Sequence, residues 1–216
     1  MGSDIRGIIF DLDGVIADSH PIHEKAWRAL LRERRSNVSD AELAAVIREG
    51  KTRVEILKTL LPDGNAAALG QRKDQLYYEY ARQLQPVAGV VEWIEELCRL
   101  AIPLAVATSA SRSRALDTLA RFGIEKSFEA VITSTEIPAG KPDPALFLAA
   151  AAALRTQPVE TLVVEDSSAG VEAAHAAGMP CVCYSREGCS AAQLTITDFS
   201  VNSLAPIMRQ IGGKAA

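Results

Sequence analysis

Between Ile102 and Tyr184 the sequence alternates short, continuously apolar runs with helix-forming stretches, and this alternation constrains the fold more than any other feature. Ile102 to Ala107, Ala130 to Ile132, Thr161 to Val164 and Pro180 to Tyr184 read as strands. Between them Ser111 to Phe122, Pro144 to Leu154 and Ala169 to Ala177 read as helices, the first and last closed by Gly123 and Gly178. Strands with no polar alternate are covered on both faces, as in parallel sheets. Strand–helix alternation then joins parallel neighbours by right-handed crossovers. Ile5 to Phe10 supplies a further strand of the same kind at the start of the chain. The expected fold class is α/β, a Rossmann-like parallel sheet with helices on both faces.

The region from about His20 to Gln85 breaks this rhythm. It is charged and helix-forming, with no strand pattern, and it includes Ala26 to Leu31 and Arg72 to Leu84. Ser39 followed three residues on by Glu42 is a capping box that opens another helix. Pro86 and Gly89 punctuate its end. The block therefore reads as an inserted helical cap, residues 18–86, in a core made of residues 1–17 and 87–216.

A net charge of -4 and a pI near 5.5 exclude nucleic acid or an anionic membrane as the main partner. The arginines at 32, 34 and 35 read as the solvated end of a helix. Gly7 to Phe10 is too short for a signal peptide, and no segment approaches the length of a membrane span. A cytoplasmic monomer is expected. Cys98, Cys181, Cys183 and Cys189 form no C-x-x-C pair, and residues i and i+2 of one strand rarely bridge, so small buried thiols are expected.

Chemistry concentrates where strands end. Asp11 and Asp13 follow the first strand directly, and open parallel sheets bind ligands at the carboxyl ends of their strands. Two such carboxylates repel each other unless a cation or proton is shared. Glu165 and Asp166 close another apolar strand, and oxygen ligands converging from separate strands suit magnesium. These two could equally cap the helix that follows, a task open also to Ser167 or Ser168. Thr108 and Ser109 end a third strand, with a hydroxyl and backbone amides at a helix start that suit a phosphate oxygen. Lys141, held between Gly140 and Pro142, can balance the carboxylates and hold a phosphate.

The ordered set D-x-D-G-V, T-S, K-P-D-P and E-D-S-x-x-G resembles the haloacid dehalogenase superfamily. It is similar in particular to the helical-cap branch that holds small-molecule phosphatases and beta-phosphoglucomutase. The resemblance covers nearly the whole chain. It implies that Asp11 is a nucleophile forming an aspartyl-phosphate and that Asp13 is the general acid–base. It implies that Ser109, Ala110 and Lys141 hold the phosphoryl group, and that Asp11, Asp13, Glu165 and Asp166 hold Mg2+. The substrate it implies is a small phosphate ester, with a phosphatase of sugar phosphates expected, a phosphohexomutase as the alternative and a non-enzymatic binding module as the last reading.

In the cap, His23, Arg53 of Gly50-Lys51-Thr52-Arg53, and Lys73 resemble substrate-contacting positions of that branch. Each also has a plain reading. His23 can be a partly buried helix residue, Arg53 an ion pair with Glu49, and Lys73 an exposed helix lysine.

Overall fold

The computed structural model describes residues 4–48, 53–137, 139–184, 192 and 194–211. The chain opens with β1 (Gly7–Phe10), followed by the helices α1 (His20–Glu33), α2 (Asp40–Arg48), α3 (Arg53–Leu60) and α4 (Ala66–Tyr80). Next come α5 (Val90–Arg99), β2 (Leu104–Thr108), α6 (Arg112–Arg121), β3 (Ala130–Thr133) and α7 (Ala145–Leu154). The chain continues through β4 (Thr161–Glu165), α8 (Ser168–Ala176), β5 (Cys181–Tyr184), β6 (Leu194–Ile196) and α9 (Val201–Ile211). Two compact units result, one of Met1–Ala17 with Pro86–Ala216, the other of Asp18–Gln85.

In the first unit the six strands form one parallel sheet in the order β3-β2-β1-β4-β5-β6. The sequence moves outward from β1 to β2 and β3 on one side, then returns to β4 on the other. The strand order thus reverses between β1 and β4, where open α/β sheets place their ligands. Alternate residues of β1 serve opposite layers, as a strand's two-residue period requires. Ile8 and Phe10 pack with Trp93 and Ile94 of α5, Leu119 of α6 and Leu204 of α9. Ile9 packs with Phe147 of α7 and Val171 of α8. Phe10 lies edge-on to Trp93 at 5.2 Å and to Phe128 at 6.2 Å between ring centres. This aromatic knot anchors the strand that carries Asp11.

The second unit buries Ala26, Trp27 and Leu30 of α1 together with Leu69, Leu76 and Tyr77 of α4. Its capping box forms: the Glu42 amide donates to Ser39 Oγ at 3.2 Å, and the Ser39 amide donates to Glu42 Oε2 at 2.8 Å. α4 starts six residues earlier than the expected Arg72, because Asn65 Oδ1 caps it by accepting from the Ala68 amide at 3.0 Å. It ends at Tyr80, and a 3-10 turn carries the chain on to Gln83.

β6 and α9 extend the sheet and its cover beyond Tyr184, where no clear pattern is legible. β6 has three residues, and α9 carries Pro206 in its interior, a helix breaker in most contexts. Cys181 and Cys183 share the face toward α7 and α8. Burial pushes the Cys181 thiol up to about 12, which makes it inert. Cys183 is disulfide-bonded, which corrects the expectation of a thiol there. Strand spacing argues only against a bridge between Cys181 and Cys183, not against one to a cysteine elsewhere. Among the described residues no helix is long and apolar enough to cross a membrane.

Candidate active site

β1 ends against its neighbours in register, Phe10 opposite Val106 on one side and Val164 on the other. The Asp11 amide continues this pairing by donating to the Val164 carbonyl at 2.9 Å. Asp11 is thereby fixed at the point where the strand order reverses. The chain then folds back on itself: the Ile16 and Ala17 amides donate to the Leu12 carbonyl at 3.0 and 2.8 Å. Gly14 makes this turn possible with φ of 79°, a conformation glycine adopts without steric cost.

Lys141 reaches Asp11 from the loop before α7, with Nζ donating to Oδ1 at 2.6 Å, and it also donates to Glu165 Oε1. The three side chains are 8%, 8% and 1% exposed, so this is a buried cluster of two carboxyl groups on one ammonium. Burial is the largest influence on Asp11 and pushes its carboxyl up to about 8 against the attraction of Lys141. Glu165, Asp166 and Asp13 push it the same way. Burial acts on Lys141 to lower its value, but Asp11 and Glu165 reverse this and hold it above the ordinary range, so the ammonium stays charged. Its charge also lies 5.0 Å over the Phe147 ring.

Glu165 holds its own loop together. Its Oε2 accepts from the amides of Asp166 and Ser167, both at 2.8 Å, and from the Ser167 hydroxyl at 2.9 Å. Ser167 Oγ in turn caps α8 by accepting from the Gly170 amide at 3.0 Å. A side chain at position 170 would collide with this carboxylate, since an added Cβ would lie 1.9 Å from its carbon. The glycine of the E-D-S-x-x-G run is therefore required by the glutamate five residues earlier. Of the two capping readings, Ser167 is the cap, and Asp166 stands half-buried beside it.

At the end of β2, Ser109 is exposed while Thr108 and Ala110 are buried. The Ala110 amide, expected to face a phosphate, donates to Thr108 Oγ1 at 3.0 Å. The Ala110 carbonyl accepts from the Ser134 amide and hydroxyl at 3.3 and 3.1 Å. Thr108 and Ser134 thus shape the turn that presents Ser109.

Asp13 faces a cation that sequence reading missed. Arg114 of α6 donates from Nη1 to Oδ1 at 2.8 Å and from Nη2 to Oδ2 at 2.6 Å. A signal was available, because arginines at 112 and 114 sit in the first turn of a helix with no acid there. Cations at that end oppose the helix dipole and call for a partner. Among the described residues no three His, Cys, Asp or Glu side chains gather as a preformed metal site.

In the second unit, His23 and Lys73 are brought together. Lys73 Nζ lies 2.6 Å from His23 Nδ1, 5.6 Å from the Trp27 ring centre and 5.3 Å from that of Tyr77. His23 stacks on Tyr77 at 4.5 Å. Lys73 is 5% exposed, which corrects the reading of an exposed helix lysine. The aromatic faces of Trp27 and Tyr77 compensate the buried ammonium. Arg53 opens α3, but its side chain, Glu49 and the loop at 50–52 lie outside the described residues, as does any Glu49–Arg53 pair.

A parallel α/β core with a lysine between two carboxyl groups at its switch point defines a doubly wound protein with its candidate site where such sheets bind ligands. The family model for haloacid dehalogenase-like hydrolase matches residues 8–184. The chain belongs to this family of hydrolases. It is 31% identical over 186 residues to a phosphorylated carbohydrates phosphatase of Thermotoga maritima, covering 81% of this chain and 82% of that protein. It is likewise 31% identical over 187 residues to a beta-phosphoglucomutase of Bacillus subtilis, covering 81% of each. In fold it is similar to the crystal structure of a beta-phosphoglucomutase from Clostridium difficile, with a TM-score of 0.80 and 24% identity over 96% of this chain and 97% of that one.

Proposed function

We propose that this protein is a magnesium-dependent phosphatase of small phosphorylated metabolites, sugar phosphates foremost, with Asp11 as nucleophile. The observation that carries the reading is the buried contact of Lys141 with both Asp11 and Glu165 in a member of this hydrolase family. The relatives support the substrate class, since they include a phosphatase of phosphorylated carbohydrates and a fructose-1-phosphate phosphatase of Escherichia coli that is 31% identical over 182 residues.

The residues fit a hard divalent cation. Asp11, Asp13, Glu165 and Asp166 set four carboxyl groups against the ammonium of Lys141 and the guanidinium of Arg114, and Asp11, raised first by its burial, is raised further by the other three. Oxygen donors with excess negative charge are what magnesium takes. The carboxyl groups of Asp11, Glu165 and Asp166 and the backbone carbonyl of Asp13 would hold it, which leaves the Asp13 side chain for proton transfer, and it would act there as a Lewis acid on the phosphoryl oxygens.

The chain's own residues account for the rest. Lys141 and the hydroxyl of Ser109 neutralise and orient the phosphoryl group, which relieves the repulsion between an anionic ester and an anionic nucleophile. An Asp11 carboxylate oxygen attacks phosphorus, and the bond from phosphorus to the ester oxygen breaks with its electron pair on that oxygen. Asp13 gives its proton to the departing alkoxide and releases an alcohol. A water then attacks phosphorus and yields its proton to Asp13. The bond from phosphorus to Asp11 breaks, freeing phosphate and restoring the carboxylate.

A phosphohexomutase is the second reading, favoured by the Bacillus subtilis relative and by the contact of half-buried His23 with buried Lys73. Phosphorus NMR on the magnesium-loaded protein separates the two. With hexose phosphates and a trace of glucose 1,6-bisphosphate, growth of inorganic phosphate supports the phosphatase. Conversion of beta-glucose 1-phosphate to glucose 6-phosphate without free phosphate establishes the mutase, and no turnover of any ester overturns both.

A further inference from the structure

Arg114 occupies the third position of α6, and its guanidinium takes both carboxylate oxygens of Asp13. Only 16% of the arginine side chain and 25% of the aspartate side chain are exposed. The helix does not need this guanidinium to start. Ser111 Oγ caps it by accepting from the Arg114 amide at 3.4 Å, and Thr118 Oγ1 donates to the Arg114 carbonyl at 2.8 Å, both through the backbone. Placed near the positive end of α6, the charge is unfavourable on its own account and is offset by its contact with Asp13.

A guanidinium fork binds an ionised carboxylate and covers both of its oxygens. Those are the atoms through which Asp13 would give a proton to a leaving group or take one from water. In the forked state one lone pair on each oxygen is committed to the guanidinium and the side chain is held toward α6, away from a leaving group.

We propose that Arg114 is a positioning residue that holds Asp13 at rest, so that cleavage of an ester with a poor leaving group requires the fork to open. This rests on the reading of Asp13 as the acid–base. An alkyl phosphate loses an alkoxide that needs a proton as the phosphorus–oxygen bond breaks. 4-Nitrophenyl phosphate loses a stable phenolate that does not. Arg114 therefore taxes the first kind of substrate selectively and makes turnover depend on whatever event draws Asp13 off the guanidinium.

The test is the single-turnover rate of phosphoenzyme formation, with magnesium, from 4-nitrophenyl phosphate and from the fastest-cleaved of a panel of hexose monophosphates. Arg114→Gln is expected to raise the alkyl-to-aryl rate ratio roughly tenfold, the size expected for losing a partly shielded charge-assisted pair. Arg114→Lys, which keeps a point charge but lacks the fork, should fall between Gln and wild type. In an Asp13→Ala background Arg114→Gln should leave the ratio where Asp13→Ala alone puts it. An unchanged ratio in Arg114→Gln overturns the proposal, and a lowered one shows that Arg114 presents Asp13 rather than restrains it. An Asp13→Ala variant with a wild-type ratio overturns the acid–base assignment and this proposal together. A lowered ratio in Asp13→Ala with a flat response to Arg114→Gln overturns this proposal alone.

Discussion

Replacing Lys141 by methionine removes the one charge shared by Asp11 and Glu165 while keeping much of the side chain's volume against Phe147. The size of the effect follows from burial and from pH. At pH 9 the Asp11 carboxyl, with its value near 8, is ionised in the wild type and paired with an ammonium that remains charged. Methionine removes the attraction that holds the Asp11 value down, so the carboxyl rises further and can take up a proton even at pH 9, which puts the loss at the low end of about 3–5 kcal/mol. At pH 6 Asp11 keeps its proton in both proteins. The loss is then confined to one of the contacts of Glu165, whose other oxygen keeps three donors, and amounts to about 2 kcal/mol. Each kcal/mol moves the midpoint of a domain this size by about 2–4 °C, so metal-free Lys141→Met should melt roughly 6–12 °C below wild type at pH 9 and less below it at pH 6. Thermal unfolding followed by the emission of Trp93, buried beside the β1 strand, reads this directly. Equal losses at the two pH values, or a loss under about 1 kcal/mol at pH 9, would refute the reasoning.

Asp11→Asn should abolish turnover and leave the fold intact. The Asp11 carboxyl is raised on folding, from 3.8 to about 8, so the stability it contributes is present below its unfolded value and lost as pH rises through 8. The asparagine variant should therefore be at least as stable as metal-free wild type at pH 9 and show a flatter profile from pH 6 to 9, measured by urea titration. Gly170→Ala drives a methyl into the Glu165 carboxylate and should cost about 1–3 kcal/mol, with lower activity, whereas Gly140→Ala, which meets nothing within 4 Å, should cost far less. Phe10→Ala empties the aromatic knot under Asp11 and should cost about 3–5 kcal/mol by the same titration. Chelation should stop phosphate release and magnesium should restore it; undiminished release in excess chelator contradicts the metal assignment.

The sheet was legible because its inner strands are continuous apolar runs, a pattern that only two-sided burial explains. Asp11 and Glu165 were legible for the same reason, since each stands where such a run stops. Lys141 was legible as a lysine between Gly140 and Pro142. What escaped depends on distant partners. Arg114 meets Asp13 across 101 positions, and only its awkward place in a helix's first turn hinted at a need for charge. Lys73 looked like an exposed helix lysine because the aromatic faces that shelter it lie partly on another helix, at Trp27 of α1. The four donors that Glu165 gathers from Lys141, Asp166 and Ser167 were not legible, although the glycine at 170 is the trace of that arrangement. β6 was too short to show a period, and Pro206 disguised α9.

The central claim is that Asp11 itself carries the phosphoryl group. Its most direct test is a rapid acid quench of the magnesium-loaded protein during turnover of 4-nitrophenyl phosphate, followed by mass spectrometry of its peptides. A phosphoryl adduct should appear on the peptide that contains Asp11, survive at acid pH, and be absent from Asp11→Asn. Turnover with no adduct on that peptide, or an adduct that persists in Asp11→Asn, would contradict the account.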